Sequence, residues 1–509
     1  MLCKKGMAAL LFGVVVSTMS CSILSDFSEC ENDSDCAARY GAGNTCSDGV
    51  CQTPNAANLL GGTCTESSGD ITASGSLNFG VIMPLTGDEA GFGLPLVNAM
   101  KLAQADVNKI GGVNGQKVGL IICDSLNSAE GAVAAAQHLT QNARVPVVIG
   151  SDSSGQTIEV ATQVTIPAEV VQISPSATAG AISTLADNNL LWRTCPSDNA
   201  QGAALAKYIE QLVNVDLQSS FDDVTIWVLG AEDEPYSSGL QDILTATLPT
   251  TFVTSDRFLP RSYPSAWQDW FVNSTSDLAE PDIVVLLGFA ESWDIAEEID
   301  RRFPGNIRYV AVDGAKNAQE AARTSPTLQG RFSGVAPQNV GEASYLPYLN
   351  FATKYRSAYD ADPNDLQFVA NAYDAVIIAA LGAAAGGTTG PQIADGMTRI
   401  SGTGPETLLV SGAGESLSAG FAALIDGQTV NYEGASGPLD MDTNGEPANT
   451  AIALWCFADL AVPEQAVVYL DGKYTPASCG ADTNNTMMDM GADVGAEDAG
   501  ADAGDMGTD

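Results

Sequence analysis

From Leu77 to Asp198 the chain is built of short apolar strands that each stop at a cluster of small hydroxylated residues, and this punctuation restricts it to an open, largely parallel α/β sheet. LNFGVIMPLTG (Leu77 to Gly87) runs into the glycine-rich turn GFG (Gly91 to Gly93) and an amphipathic helical segment. VGLIICDS (Val118 to Ser125) precedes an Ala-rich helix, and VPVVIGSDSSGQT (Val145 to Thr157) and VVQISPSATAG (Val170 to Gly180) follow. Near-continuous β-branched strands of this kind suit parallel sheets buried on both faces. Open sheets hold ligands outside the carboxyl ends of their strands, which is where SDSSGQT and SPSAT fall.

Those hydroxyls fit a small polar ligand. Backbone amides at a helix N-terminus, helped by the helix dipole, satisfy a carboxylate without any arginine. Ser153 and Ser154, ahead of the helical segment QTIEVATQV, suit that role, as do Ser176, Ala177 and Thr178. The same residue types also cap helices, and the two roles are compatible. Phe92 in the first turn and Phe289 in LGFAES follow strand ends and are placed to wall a side-chain pocket.

Other chemistries find little support. A net charge of −41 argues against nucleic acid, which needs an excess of Lys and Arg, and against a polybasic membrane contact. The single histidine, His138, sits in the Ala-rich helix AEGAVAAAQHLTQNA, where packing is its expected role, so histidine-dependent nucleophilic catalysis has no second candidate. No G-x-S-x-G elbow or P-loop occurs, GFG lacks its closing glycine, and GAGESLSAG (Gly412 to Gly420) misses the third glycine of a dinucleotide fingerprint. No carboxylate pair is singled out among the 62 acids for glycoside chemistry. No cofactor and no metal is implied.

Lys4 and Lys5 followed by an apolar stretch ending in Thr18-Met19-Ser20-Cys21 read as a signal peptide over residues 1–20. The ending resembles a bacterial lipobox without the usual Leu three before the cysteine, so Cys21 is the expected lipidation site, with ordinary signal cleavage as the alternative. Export places the eleven cysteines in an oxidising compartment. Residues 21–52 hold Cys30, Cys36, Cys46 and Cys51 among Asn, Asp and Gly, and two disulfides would stand in for a missing core. Zinc is the rival, without a paired C-x-x-C or a nearby histidine, and the disulfide connectivity stays open among three pairings. Residues 53–76 read as a polar linker carrying Cys64. Cys123 with Cys195, or Cys456 with Cys479, are candidate bridges, with Cys64 left over. Tyr373 to Gly387 reads as a core helix, and residues 480–509 (rich in Gly, Ala and Asp, with no aromatic or basic residue) as a disordered acidic tail without a calcium loop.

The order of IGGVNGQKV, VVIGSDSS, ISPSAT, WRTCPSDNAQGAALAKYI, DDVTIWVLGAEDEPYSSGL, PDIVVLLGFAES, RYVAVDGAKN, ANAYDAV and GASGPLDMDTNGEP from Leu77 to Thr475 resembles the leucine/isoleucine/valine-binding branch of the type I periplasmic binding proteins. The resemblance implies two Rossmann-like α/β lobes joined by a three-strand hinge. Lobe one would be 77–196 and 336–450, and lobe two 197–335 and 451–475. It further implies that Asp313 accepts a ligand ammonium, that Asp198 makes a polar contact in the cleft, and that Tyr236 closes over the ligand. The function implied is capture of an amino acid, branched-chain or related, for an ATP-driven importer. The alternative is a lipid-anchored sensor that reports ligand to a receptor. An inactive interaction lipoprotein and an enzyme stand further back.

Overall fold

A computed structural model describes residues 28–32, 35, 36, 39, 44–52, 59–73, 75–87, 89–276, 278–325, 328, 330–338, 345–365, 367–405, 407–448, 451–457, 463–470 and 472–477. The signal peptide, Cys21, Cys479, residues 53–58 and the acidic tail at 480–509 lie outside the described residues.

The N-terminal module is a hairpin of β1 (Thr45–Ser47) and β2 (Val50–Gln52), held by the disulfides Cys30–Cys46 and Cys36–Cys51. The sulfurs of Cys30, Cys36 and Cys51 lie close together, but each is committed to a disulfide, so zinc is not the staple.

The first lobe is a six-stranded sheet. In chain order its strands are β3 (Cys64–Ser68), β4 (Leu77–Met83), β5 (Val118–Asp124), β6 (Val147–Ile149), β7 (Val171–Ser174) and β8 (Leu191–Arg193), arranged β3-β5-β4-β6-β7-β8. All pairings are parallel except that of β3 with β5. Strand β5 is buried at every position, as a strand with helices on both faces must be. Helix α1 (Ala90–Lys109) starts so close to the end of β4 that a Cβ on Gly93 would lie 1.9 Å from the Pro84 carbonyl. That contact gives the GFG turn its glycine for packing, not for phosphate.

Residues 59–76 correct the sequence reading. They are not a linker: β3 is the antiparallel edge of the sheet, Leu59 and Ile71 are buried beneath it, and Cys64 is bonded to Cys123. CTESS is polar because an edge strand keeps most of its side chains in water, and the disulfide supplies the anchorage its composition lacks. Cys195, expected to pair with Cys123, is a buried thiol whose burial pushes its pKa far up, and Cys456 is in a disulfide.

The second lobe is reached through Thr194 to Ser197. Its strands are β9 (Ile226–Ala231), β10 (Phe258–Tyr263), β11 (Ile283–Leu287), β12 (Arg308–Ala311) and β13 (Phe332–Pro337). They lie in the order β10-β9-β11-β12-β13, all parallel. The chain then returns to lobe one for helix α5 (Val369–Gly386) and a small sheet of β14 (Leu408–Ser411), β15 (Val430–Gly434) and β16 (Gly437–Pro438). It crosses back into β17 (Ala451–Phe457), β18 (Pro463–Leu470) and β19 (Lys473–Tyr474), which extend the second sheet from β13 to eight strands. Because β17 pairs antiparallel with β13, two of the three crossings run side by side.

Three further helices frame the cleft: α2 (Ser154–Val160), α3 (Asp198–Gln211) and α4 (Pro235–Thr247). Helix α5 (Val369–Gly386) is long and apolar enough to cross a membrane by composition, yet it is buried in the lobe-one core, as its sequence suggested. It also fastens the first crossing: Asn371 Nδ2 donates to the Thr194 carbonyl at 2.7 Å, and Thr194 Oγ1 donates to the Asn371 carbonyl at 2.8 Å.

Candidate ligand-binding cleft

In each sheet the strand order reverses beside the first of its parallel strands, between β4 and β6 in lobe one and between β9 and β11 in lobe two. Such switch points open a crevice at the carboxyl ends of the strands. The loop after β6 (Ser151 to Ser153) and the loop after β9 (Glu232 to Glu234) leave these two crevices, and they meet: Gly155 N donates to Glu234 Oε1 at 3.0 Å.

On the lobe-one side the hydroxylated loops are tied to each other. Ser153 is the N-cap of α2, its Oγ accepting from Gln156 N at 3.3 Å. Ser154 Oγ accepts from Ala179 N at 3.1 Å, and Ser176 Oγ donates to the Asp152 carbonyl at 2.8 Å. The Ala177 and Ala179 carbonyls accept from Arg193 Nη1 at 3.1 and 3.0 Å. Arg193 is 1% exposed and is neutralised by Glu446, through Nε at 2.8 Å and through Nη2. The Thr178 carbonyl accepts from Asp198 N at 2.8 Å, joining the loop to the start of α3. The capping role is therefore realised by Ser153, and the others tie the loops to one another.

On the lobe-two side Asp313, at the end of β12, is buried, and its Oδ1 accepts from Tyr236 Oη and from Gln201 Nε2, both at 2.6 Å. Tyr236 stacks on Phe289 with ring centroids 5.4 Å apart, and its hydroxyl also accepts from Gly314 N at 3.2 Å. Phe92, in the first turn of α1, packs half-buried on the lobe-one core, so Phe289 is the phenylalanine tied to the acidic residues by a described contact.

Burial governs the electrostatics. It raises the pKa of Asp313, against which the Tyr236 and Gln201 hydrogen bonds and the Lys316 charge pull downward. It raises Asp198 well above the usual carboxylate range, with the neighbouring Asp313 adding to the rise. The Thr178 hydroxyl lies beside Asp198 and offsets part of this, but no donor among the described residues is aligned on either of its oxygens. Burial likewise pushes Asp152 up to about 6, with Glu234 contributing, and raises Glu234.

Sequence reasoning passed over Asp152, Gln201 and Glu234. Asp152 lay inside the SDSS cluster itself, and Glu234 immediately precedes the proline that opens α4, a capping position equivalent to that of Ser153. Gln201, one turn into α3, carried no sequence signal. His138 has the packing role expected of it, with Nε2 2.9 Å from the Leu59 carbonyl.

Comparison with known proteins agrees with this fold. The family model for periplasmic binding proteins matches residues 76–454. The chemotactic signal transduction system substrate-binding protein BasB of Halobacterium salinarum is 28% identical over 365 residues, 69% of this chain and 79% of that protein. The Leu/Ile/Val-binding protein BraC3 of Rhizobium johnstonii is 27% identical over 48% of this chain and 64% of its own length. Among solved structures, the leucine-binding protein LivK of Thermotoga maritima superposes with a TM-score of 0.61 at 19% identity, covering 77% of this chain and 98% of that one. The isoleucine complex of LivJ from Streptococcus pneumoniae gives 0.61 at 17% identity, covering 77% and 99%.

Proposed function

Since this chain belongs to the periplasmic binding protein family, in its type I leucine/isoleucine/valine-binding branch, we propose that it is an exported, Cys21-anchored lipoprotein that captures an amino acid between its lobes for an ATP-driven importer. The family binds substrates and does not transform them.

Asp313 carries the reading. A carboxylate with two donors already on Oδ1 is pre-oriented, and its Oδ2 is left for a ligand ammonium. Ser153, Ser154, Ser176, Ala177 and Thr178 form the lobe-one wall that faces the ligand carboxylate, Asp198 adds an acceptor, and Tyr236 with Phe289 covers the side chain. Phe92 is kept as a more distant wall of the pocket. Closure is driven by contacts that exist only when both lobes meet, of which Gly155 to Glu234 is one. Lobe boundaries at 77–196 with 336–450 and at 197–335 with 451–475 follow from the same reading.

Mass spectrometry of small molecules released from the purified protein, followed by calorimetry with the compound found, tests this. Release of an amino acid that rebinds at one site supports it, and a ligand without an ammonium rejects it. The breadth of the BasB match favours a second reading, in which the loaded protein reports to a receptor. Deleting the gene separates the two: transport predicts lost uptake, and sensing predicts intact uptake with a lost behavioural response.

A further inference from the structure

Four carboxylates lie in two neighbouring pairs, Asp152 with Glu234 and Asp198 with Asp313, on loops and helix starts that a chain of contacts ties together. Asp152 is held through its carbonyl by Ser176, and Ser153 and Ser154 lead from it to Gly155, whose amide meets Glu234. Glu234 Oε1 also accepts from Tyr236 N at 3.4 Å, Tyr236 reaches Asp313, and Asp313 reaches Gln201 on α3. Helix α3 begins at Asp198, whose amide returns the chain of contacts to Thr178 in lobe one. A free amino acid of the leucine type brings one ammonium and one carboxylate. It would match one of these acids and add a fifth.

The balancing charges are few. Arg193 is committed to Glu446, Ser183 and two carbonyls, and Lys316 donates to Gln367 Oε1 at 2.8 Å while drawing on Asp313. Beside the Ser151 hydroxyl, the unpartnered buried side-chain atoms of this region among the described residues are acceptors. Asp198 is wholly buried with no aligned donor on Oδ1 or Oδ2, Asp152 has none on Oδ1, and Gln201 has none on Oε1. Burying an acceptor without a donor costs free energy that a ligand donor would recover. Meanwhile two of the donors expected for a ligand carboxylate are engaged, the Gly155 amide by Glu234 and the Ser176 hydroxyl by the Asp152 carbonyl, while Ser154 Oγ accepts from Ala179 N and keeps its own proton to donate.

Building on the cleft-binding reading above, we infer that the ligand is an amino acid with a second positive charge on its side chain, its α-ammonium at Asp313 and its side-chain cation between Asp198, Asp152 and Glu234. Selectivity would then arise from charge. A neutral side chain leaves buried acids unmatched, which penalises it as strongly as a clash would.

The test is calorimetry of the full mature protein with lysine, ornithine, arginine, leucine, isoleucine and cadaverine, repeated for Asp198→Asn and Glu234→Gln. The expected result is that the basic amino acids bind at least about tenfold more tightly than leucine, and that either substitution weakens lysine binding by about tenfold more than it weakens leucine binding. Two substitutions at separate elements guard against misfolding of either one, and circular dichroism reports it. Leucine or isoleucine binding as tightly as lysine overturns the inference and leaves amino-acid capture standing. Cadaverine binding more tightly than lysine supports the second charge and rejects recognition of the ligand carboxylate. No binding by any compound rejects both.

Discussion

At the scale of single residues, Asp313 and Glu446 make opposite predictions. Asp313 is proposed to meet an ammonium away from water, and removing one partner of a buried charge pair costs about 3 to 5 kcal/mol, because the other stays desolvated. At about 1.4 kcal/mol per decade, Asp313→Asn should weaken amino-acid binding roughly a hundredfold to several thousandfold in calorimetry. The ligand-free melting temperature should hold or rise, since burial already disfavours the charged form. Unchanged affinity would reject the assignment. Glu446 binds no ligand in this reading but neutralises Arg193, which in turn holds the Ala177 and Ala179 carbonyls. Glu446→Gln leaves an unpaired buried guanidinium, so its cost should appear as a lower melting temperature without ligand, again about 3 kcal/mol. A variant with wild-type stability would show that the carbonyls and Ser183 alone satisfy Arg193. Asp313 was singled out in sequence because the family resemblance places the acidic residue there, just after the strand RYVAV. Gln201 and Glu234 were not: a polar residue on a helix, as Gln201 is, reads as solvent-facing until β12 and β13 of the same lobe are packed against it, and Glu234 reads as a helix cap until lobe one brings Gly155 to it.

At the scale of elements, the strands of both sheets were legible because burial on two faces demands unbroken apolar runs such as VGLIICD and IVVLL. Strands without such a run were not read: β10 (FLPRSY) is one, and β3 is another, since CTESS has no apolar period and owes its place to backbone pairing with β5 and to the Cys64–Cys123 disulfide. Composition could not separate that strand from a linker. The difference has a consequence for truncation. Deleting residues 22–52 removes only the disulfide hairpin and should leave melting temperature and ligand affinity near those of the parent. Deleting 22–76 also strips the edge from β5, leaves Cys123 without its partner and removes Leu59 and Ile71 from the core. Loss of a disulfide closing a long loop typically costs about 2 to 5 kcal/mol, so the longer truncation should melt markedly lower or fail to accumulate. Equal stability of the two truncations would show that β3 contributes little to the lobe.

At the scale of the whole molecule, burying acids makes the fold depend on pH. Asp152 and Asp374 are pushed up to about 6 by burial, and Asp198, Asp313 and Glu234 are raised as well. In the unfolded chain such groups titrate near pH 4. Between about pH 4 and 6 the native state therefore binds more protons than the unfolded state, and stability falls as pH rises through that window. Asp152 alone, raised from 3.8 to about 6, contributes on the order of 2–3 kcal/mol at about 1.4 kcal/mol per unit. A net charge of −41 acts in the same direction, but at physiological salt its reach is cut to about 8 Å. The ligand-free protein should accordingly melt higher at pH 5 than at pH 7.5, and Asp152→Asn should flatten that dependence, whereas removing an exposed acid should not. A cationic ligand opposes the trend, because it matches the charged form of the same carboxylates: its thermal stabilisation should be larger at pH 7.5 and shrink toward pH 5 as protons compete for the site. Differential scanning calorimetry at both pH values, with and without lysine, reads the two slopes together. A ligand-free melting temperature that rises with pH would mean that partners within the fold already match these acids, and the cleft would then hold no surplus negative charge for a ligand to meet.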